Sequence, residues 1–348
     1  MCVPETPLVS ILIPAFNSAD WLAQSLESAV AQTWPRKEII VVDDGSTDAT
    51  LAIARRYESP IVKVVSRFNQ GAAAARNAAF ALSQGDYVQW LDADDILAPQ
   101  KVASQITALQ KVSDPRTLAS GPWGYFFYRH QQAKFHPTAL WNDLSPVEWL
   151  LRKMGQNLHM QTATWLVPRG VATVAGPWNT KLLGDDDGEY FCRVLMASAG
   201  VKFVPEAKVF YRRARGTSLS YIGHSSRKIE AQFHSMEMHI NYLRSLEDSP
   251  RVQAACIAFL QTWLLHFYPE RLDIVRRAEA LAAQLGGHLE PPRFSWKYAW
   301  LVAMGRPDLA KRALVFSRNL RTTATRWLDR VLLEVERVGR RRAVPKTA

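Results

Sequence analysis

GDYVQWLDADD, residues 85–95, combines a short apolar run with three carboxylates that fall within four positions. The run at residues 87–91 is typical of a buried strand. Strand packing gives no reason for Asp92, Asp94 and Asp95 to follow it, because like charges this close repel one another unless a cation or fixed donors hold them. These three residues, the first acidic cluster, are therefore the feature to be explained.

Two interpretations of the first acidic cluster are open at this point. Asp92 and Asp94 lie two residues apart, so on an extended backbone both side chains leave the same face and can bind one hard divalent ion. Alternatively, the acids form a polar turn before a helix, with Asp94 or Asp95 capping the segment that starts near Pro99. The stretch alone favours neither interpretation.

Strands and helices alternate on the N-terminal side of this stretch. The pattern predicts strands at residues 8–13, 38–42 and 61–65, and helices that begin after Asp20, at residue 49 and at residue 72. This alternation predicts an α/β fold, an open and mainly parallel sheet with helices on both faces. Ligands of such folds bind beyond the carboxyl ends of the strands.

Acidic residues fall at two of those strand ends. Asp43 and Asp44 follow the second predicted strand, as Asp92 and Asp94 follow the fourth. This favours a ligand site, although residues 43–48 (DDGSTD) also suit a turn that caps the next helix. The chain lacks a G-x-G-x-x-G after the first strand and a G-x-x-x-x-G-K-S/T anywhere, which disfavours a dinucleotide site and a P-loop. A metal on the Asp-x-Asp is then the available means of holding phosphates.

Composition favours a cytoplasmic globular protein. The chain has 348 residues, 48% of them hydrophobic, which is enough for one large core or two smaller ones. Three widely spaced cysteines argue for a reducing compartment and against disulfides or a zinc site. The first seven residues show no signal-peptide pattern. Residues 252–269 form a long uncharged run, for which a buried helix is favoured over a membrane crossing.

Four motifs together resemble a known family. They are VSILIPAFN at 9–17, VDDGSTD at 42–48, NQG at 69–71 with ARN at 75–77, and DADD at 92–95. Their order and spacing resemble the signature of family 2 glycosyltransferases with the GT-A fold, over about residues 8–100 and more weakly to about residue 220. The resemblance implies a nucleotide-sugar donor, usually a UDP-sugar, a divalent metal (Mn²⁺ or Mg²⁺), and transfer with inversion at the anomeric carbon.

The resemblance also implies roles for individual residues. The nucleobase and ribose are assigned to Pro14, Phe16, Asn17, and either Asp43 or Asp44. Asp94 is expected to bind the metal directly, and Asp92 to contact the ribose or the metal. Arg76 is expected either to aid the diphosphate or to pair with an acid, and Asp95 to have a structural role.

A second acidic cluster, Asp185, Asp186, Asp187 and Glu189, lies in the segment GDDDGEYFCR at residues 184–193. The apolar spacing that follows places Asp187 at or just before a helix start. A helix dipole stabilises one or two acids there but does not account well for four. The segment resembles the family's Glu-Asp-x-acid-aromatic motif, whose second acid is the general base. That register assigns the base to Asp187 and the preceding acid to Asp186, with an uncertainty of one position.

The middle of the chain gives weaker signals. Residues 101–120 predict an amphipathic helix, and the aromatic-rich residues 121–142 predict core strands rather than a platform for a sugar ring. His130, His136 and His159 lack metal-ligand spacing and are expected to be ordinary histidines. The segment YRRARGTSLS at 211–220 resembles the family's basic, serine-rich loop, which can fold over a diphosphate; Arg215 is a candidate replacement for the histidine usual there.

Beyond residue 222 the resemblance stops, and the pattern predicts helices at 224–246, 252–286 and 296–338. We therefore expect a catalytic domain at residues 1–222 and a basic helical region at residues 223–348. Residues 286–348 hold 14 lysines and arginines against five acidic residues, so most of the net charge of +11 lies there. The last helix carries one apolar stripe, which consists of Trp327, Leu328, Val331, Leu332, Val335 and Val338.

That stripe has two interpretations. The helix packs on the catalytic domain, which is slightly favoured, or it lies on an anionic membrane from the cytoplasmic side, helped by Trp296, Trp300 and the arginines at 340–342. Nucleic acid is not expected as a partner.

The leading hypothesis is an inverting, metal-dependent glycosyltransferase that acts on a glycan or lipid-linked acceptor in cell-surface polysaccharide or glycoconjugate synthesis. One alternative is a sugar-phosphate nucleotidyltransferase, but its glycine-rich, arginine-containing loop after the first strand is missing. Another is a non-catalytic nucleotide-sugar binding protein, against which the second acidic cluster argues. Residues 161–165 (QTATW) lack the arginine of processive synthases and precede the base, so they do not indicate processivity.

Overall fold

The computed structural model describes residues 6–213, 225–292 and 294–343. Its first part alternates strands and helices as the sequence predicts. In chain order the elements are β1 (Val9–Ala15), α1 (Leu22–Val30), β2 (Lys37–Asp43), α2 (Thr50–Arg55), β3 (Val62–Ser66), α3 (Ala72–Leu82) and β4 (Tyr87–Trp90).

The following part adds shorter strands and then long helices. The elements up to the described chain break are β5 (Ile96–Leu97), α4 (Lys101–Leu109), β6 (Thr117–Ser120), β7 (Trp123–Phe126), β8 (Lys134–Phe135), α5 (Pro146–Gly155), β9 (Val167–Pro168), α6 (Arg169–Ala175), α7 (Asp186–Ala197), β10 (Gly200–Phe203) and β11 (Val209–Arg212). After it come α8 (Ser226–Leu246), α9 (Pro250–Phe267), α10 (Leu272–Gln284), α11 (Trp296–Ala303) and α12 (Pro307–Ala343).

The central sheet has the strand order β3-β2-β1-β4-β9. β1 pairs in parallel with β2 and β4, β2 pairs in parallel with β3, and β9 is antiparallel at the edge. The register places Ala15 opposite Asp43 and Leu12 opposite Trp90. The α/β prediction is confirmed, and the carboxyl ends of β1, β2 and β4 meet at one edge.

Both faces of this sheet are buried, as expected for a parallel sheet whose strands are apolar throughout. Ile11 and Ile13 face a core that includes residues of α1 and α4, whereas Leu12 faces a second core that includes residues of α3 and α7. The second core continues without interruption into α8, α9 and α10. A smaller sheet, β5-β11-β7-β8, lies beyond the first acidic cluster and contains the aromatic-rich segment.

Several predicted boundaries are wrong. The helix predicted over residues 101–120 ends at Leu109, and β6 takes its last four positions. Pro115 keeps a helix from continuing into β6, because it has no amide proton and disfavours helix at the residue before it. The segments predicted as single helices at 252–286 and 296–338 are each divided, around Pro269 and around Gly305.

The predicted caps are also wrong. α1 begins after Trp21 and α4 begins after Gln100, and neither start is capped by a side chain. Asp20 therefore does not cap α1, and neither Asp94 nor Asp95 caps α4. This removes the interpretation of the first acidic cluster as a helix cap.

The C-terminal helices form two groups, the buried helices α8–α10 and the more exposed helices α11 and α12. α9 contains the uncharged run and buries its apolar residues, as predicted. Among the described residues, no helix is sufficiently long and apolar to cross a bilayer. The expected domain boundary at residue 222 falls in 214–224, outside the described residues.

α12 differs from α8–α10 because its apolar stripe is turned outward. Trp327 is 66% exposed and Val335 is 62% exposed, so this stripe is not packed on the catalytic domain, whereas α8–α10 share its second core. The helix is instead held by its polar face. Asp329 accepts hydrogen bonds from Arg129 Nε at 2.7 Å and from the Tyr128 amide at 2.9 Å.

Candidate active site

The loop after β1 is fixed to the loop after β2 by Asn17. This residue has a left-handed backbone (φ 45°), which asparagine tolerates better than most residues. Its side-chain oxygen accepts a hydrogen bond from the Thr47 amide at 2.9 Å, and its own amide donates to Ser46 Oγ at 3.0 Å. Phe16, just before it, is left 44% exposed at the sheet edge.

Asp43 and Asp44, between which the sequence does not choose, have different environments. Asp44 accepts hydrogen bonds from the amides of Gln70 (3.1 Å) and Gly71 (2.7 Å), and Arg67 Nε lies 3.3 Å from it. Gly71 has a φ of 91°, a conformation that glycine adopts without strain. Asp44 thus builds the turn that starts α3.

Asp43 keeps one oxygen without a partner. Its Oδ2 accepts a hydrogen bond of 3.0 Å from Ser66 Oγ, whereas its Oδ1 is buried and has no donor among the described residues. A buried carboxylate oxygen in this condition is costly, and such groups commonly mark a binding position. Of the two acids, Asp43 is the one with capacity for a ligand.

Arg76 lies at the centre of the site and joins the two acidic clusters. Its Nη2 donates to Asp92 Oδ1 at 2.8 Å, and its Nη1 donates to Asp186 Oδ2 at 2.9 Å. The guanidinium lies 4.4 Å from the ring centroid of Trp178. Burial alone would lower the pKa of Arg76, but Asp92 and Asp186 outweigh it and raise that pKa above its ordinary value. Arg76 therefore pairs with acids from both clusters.

Trp178 is held against Arg76 by the next residue of α3. Asn77 Nδ2 donates to the Trp178 carbonyl at 2.9 Å, and the Trp178 amide donates to Asn77 Oδ1 at 2.8 Å. The ARN motif therefore positions both a cation and the aromatic ring that stacks on it. Nothing in the spacing of Trp178 in the sequence indicates this contact.

Within the first acidic cluster, Asp95 differs from its neighbours. It is fully buried and accepts hydrogen bonds from the Arg212 amide at 2.9 Å and from Gln161 Nε2. Burial, then Asp94 and Asp92, raise the pKa of its carboxyl well above the ordinary value. These contacts agree with the structural role expected for Asp95. Asp92 and Asp94 are only partly buried and lie at the open edge of the sheet.

Arg212 supports the first acidic cluster from below, a role that the sequence does not reveal. Its Nε donates to the Asp94 carbonyl at 2.7 Å, and its Nη2 donates to Gln24 at 2.6 Å. The guanidinium lies between the rings of Trp21 (4.4 Å) and Phe126 (4.5 Å). Burial lowers its pKa to about 10. Arg212 thus fixes the backbone of the Asp-x-Asp segment.

The side chains of the second acidic cluster point in two directions, two towards α8 and two towards Arg76 and Thr162. Asp185 accepts a hydrogen bond of 2.6 Å from Ser235, and Glu189 accepts one of 2.8 Å from Tyr242, so both are turned towards α8. Asp186 instead meets Arg76, and Asp187 Oδ2 accepts a hydrogen bond of 3.5 Å from Thr162 Oγ1. The division leaves Asp186 and Asp187 as the acids that face the site.

Asp186 is the more perturbed of these two. Burial raises its pKa, Arg76 opposes this, and Asp187 and Asp92 raise it further, with a net value of about 6. A carboxylate with a raised pKa is a better proton acceptor, but this one is already paired with Arg76.

Asp92 and Asp94 were expected to hold a divalent metal. In the described part of the chain, no group of three or more His, Cys, Asp or Glu side chains is arranged to hold an ion. Mg²⁺ is usually bound through one or two carboxylates together with substrate phosphates, rather than by an all-protein cage. The two partly buried carboxylates fit an ion whose remaining ligands come from phosphate and water.

Three further sequence predictions concern the surroundings of the site. Residues 214–220 of the basic loop, with Arg215, lie outside the described residues. His159 is packed edge-on against Trp123, and His136 is stacked on Tyr125, as ordinary histidines would be. The aromatic-rich segment forms β7 and β8 rather than an open platform, and Phe126 within it is buried.

Comparisons with known proteins identify the family and the fold. Residues 10–166 match the family model described as glycosyl transferase family 2. The chondroitin synthase of Pasteurella multocida is 42% identical over 119 residues, which are 34% of this chain and 12% of that protein. Residues 10–166 therefore form a family 2 glycosyltransferase domain.

Solved structures give the fold of this glycosyltransferase. S. aureus TarS (residues 1–349), solved with UDP-GlcNAc, has a TM-score of 0.57 at 17% identity, covering 81% of this chain and 93% of that one. The mannosyltransferase PcManGT from Pyrobaculum calidifontis, solved with GDP-Man and Mn²⁺, has a TM-score of 0.51 at 19% identity, covering 96% and 88%. Such likeness establishes the GT-A fold of the enzyme.

The match covers only a small part of each sequence relative. It spans between 12% and 34% of the length of the curated relatives that it matches. What those proteins make is therefore not carried over with the family.

Proposed function

We propose that this glycosyltransferase moves a sugar from a nucleotide-sugar to an acceptor hydroxyl, with inversion and with the aid of Mn²⁺ or Mg²⁺. The observation that carries the proposal is Arg76, which brings Asp92 of the first acidic cluster and Asp186 of the second to one guanidinium. A transferase needs a phosphate-binding group and a base on opposite sides of one reacting carbon. The two clusters supply them.

The donor is proposed to bind at the ends of β1 and β2. Asp43 Oδ1 would accept an N–H from the nucleobase, since it is buried and lacks a donor. The exposed ring of Phe16, with Pro14 and Asn17, would line the base and ribose. Asp44 supports this site indirectly, because its carboxylate is used in the turn before α3.

The metal is proposed to bind Asp94 directly, with Asp92 as its second protein ligand or as the ribose contact. Such an ion neutralises the charge that develops on the departing diphosphate. Arg76 donates hydrogen bonds to both Asp92 and Asp186. The Asp92 carboxylate is therefore held in place before the nucleotide-sugar binds.

Asp187 is proposed as the general base, with Asp186 as the alternative. An inverting transfer needs a carboxylate that removes the acceptor proton on the face opposite the leaving diphosphate. Asp186 is paired with Arg76, whereas among the described residues Asp187 accepts only the long hydrogen bond from Thr162 Oγ1. Asp187 is therefore better placed to accept a new proton.

The donor is tested first with a panel of UDP-, GDP- and dTDP-sugars, assayed for Mn²⁺-dependent hydrolysis and for thermal stabilisation. We expect a UDP-sugar to be hydrolysed and EDTA to abolish turnover. A second arm supplies a nucleoside triphosphate with a sugar 1-phosphate. Release of pyrophosphate there, with no hydrolysis in the first arm, would show a nucleotidyltransferase instead.

The acceptor is proposed to be a glycan or a lipid-linked sugar used for a cell-surface polymer. Support comes from the likeness to a chondroitin synthase and from the C-terminal helices. α12 is held by Asp329 while its apolar stripe and the apolar side chains of α11 are exposed, an arrangement that suits the surface of a membrane. We propose that these helices lie on an anionic membrane from the cytoplasmic side.

Vesicle flotation tests this placement. Vesicles of phosphatidylglycerol and phosphatidylcholine should bind the full chain at low salt, and pure phosphatidylcholine should bind it weakly. Trp327→Glu together with Val335→Glu should reduce binding, whereas Val174→Glu, an exposed apolar residue on α6, should not. Equal binding of the stripe variant and the control contradicts the proposal.

A further inference from the structure

Helix α8 contacts the second acidic cluster with three polar side chains. Ser235 Oγ donates to Asp185 Oδ2 at 2.6 Å, and His239 Nε2 lies 3.6 Å from the same oxygen. The Tyr242 hydroxyl donates to Glu189 Oε1 at 2.8 Å. The spacing of four and then three residues places all three on one face of α8.

These contacts lie in the interior of the protein. Ser235 and His239 are fully buried, and Glu189 is 1% exposed. Glu189 also accepts hydrogen bonds from Arg193 Nε at 2.7 Å and from Arg193 Nη2 at 2.8 Å. Burial, with Lys153, lowers the pKa of His239 well below its ordinary value, so its ring is neutral. The hydrogen bonds of Ser235 and Glu189 keep these two side chains in one arrangement, whereas neither ring nitrogen of His239 has a hydrogen-bond partner among the described residues.

Asp185 is the N-cap residue of α7. It has a left-handed backbone (φ 55°), and its carbonyl accepts the first hydrogen bond of the helix, from the Glu189 amide at 3.1 Å. Its carboxylate folds over Gly188, where an added Cβ would lie only 2.1 Å from Asp185 Oδ1. A change in the Asp185 carboxylate would therefore redirect the first turn, which carries Asp186 and Asp187.

We propose that Ser235 and Tyr242, with His239 packed between them on α8, are positioning residues for the general base. They hold Asp185 and Glu189 on the α8 side of α7, and this keeps Asp186 and Asp187 turned towards the site. All three lie beyond residue 166, where the match to the family model ends. The inference rests on the proposed function. It gives α8 the role of orienting the general base.

The test compares transfer with donor binding in the full chain. Ser235→Ala, Tyr242→Phe and Gly188→Ala should each lower kcat for transfer by ~10- to 100-fold, since small displacements of a reacting group have effects of this size. Affinity for UDP or GDP with Mn²⁺, whichever binds the wild type, should change less than twofold. Ser235→Thr keeps the hydroxyl and should restore most of the rate.

Matched controls lie on the same helix. Ser245 and His234 are exposed, so Ser245→Ala and His234→Gln should leave kcat unchanged. Should Ser235→Ala fail to fold, Tyr242→Phe still decides the matter, because it removes one hydroxyl from a partly exposed ring.

Two results would overturn the inference. One is an unchanged kcat in Tyr242→Phe and Gly188→Ala; the other is an equal loss of kcat and nucleotide affinity, which indicates a general structural defect. A wild type that turns over none of the donors points instead to failure of the proposed function, so the two failures are distinguishable.

Discussion

The two acidic clusters are built alike but are held by different parts of the protein. In the first, Asp95 is buried and bound by Gln161 and the Arg212 amide, while Asp92 and Asp94 stay at the sheet edge. In the second, Asp185 and Glu189 are bound by α8, while Asp186 and Asp187 face the site. In each cluster, some acids fix the backbone through hydrogen bonds, and the others face the candidate active site.

The difference lies in what supports each cluster. The first is fixed by strands and loops around the two sheets. The second stands at the start of one helix and is held from behind by a helix of the C-terminal region. We infer that phosphate binding depends on the sheets, whereas the direction of the base depends on α8. Arg76 is the side chain through which the two are joined.

The largest effects should separate the two clusters. Asp94→Ala should lower kcat/KM by ~10³-fold and abolish Mn²⁺-dependent nucleotide binding. Asp187→Ala should lower kcat by ~10³-fold while nucleotide binding persists, because only proton removal is lost. Steady-state kinetics and calorimetry with UDP and GDP measure the two losses. If both variants lose binding equally, or if neither loses turnover, the division of roles is wrong.

Arg76→Met should give a smaller, shared effect. It leaves Asp92 and Asp186 without their counter-charge, so we expect a loss of ~3 kcal/mol in the free energy of unfolding and ~10²-fold in kcat/KM. Arg76→Lys should rescue little, since one ammonium does not reproduce the planar fork that reaches both acids. Urea unfolding and kinetics measure this, with the exposed Arg276→Met as the control. A fully active Arg76→Met would show that the clusters work separately.

The smallest effect should appear as a pH dependence of stability. Because the pKa of Asp186 is raised to about 6, the folded protein binds this proton more tightly than the unfolded chain does. The free energy of unfolding should therefore fall as pH rises from about 4 to about 6, by ~1 to 2 kcal/mol.

Asp186→Asn should remove that part of the pH dependence, because the amide does not titrate and its oxygen still accepts from Arg76. Urea unfolding at pH 4, 5, 6 and 7 gives the slope, and Asp20→Asn, at an exposed position, is the control. The same slope in Asp186→Asn as in the wild type would assign the dependence to another group.

Much of the fold was accessible from sequence because its signals are local. The boundaries of α3 were predicted as they are observed, since Gly71 starts a run of helix-forming residues and Leu82 ends it. The strand ends that carry Asp43 and Asp92 were placed at one sheet edge because parallel strands leave little choice. The error over residues 101–120 was partly avoidable, because Pro115 lies inside that segment.

The arrangement of the site was less accessible because it depends on long-range contacts. The pairing of Arg76 with Asp186 joins residues 110 positions apart, and no periodicity reports it. Which of Asp43 and Asp44 keeps a free oxygen depends on where the turn at Gln70 places its amides. The direction of Asp185 depends on α8, whose polar residues form no motif in the sequence.

Arg76 has a further consequence for the order in which the site is assembled. Asp92, Asp94, Asp186 and Asp187 would repel one another if they gathered without a cation, and folding would then have to wait for a metal. A buried guanidinium between the clusters supplies positive charge from within the chain. The site can therefore be shaped during folding, before the proposed divalent ion and the nucleotide-sugar bind.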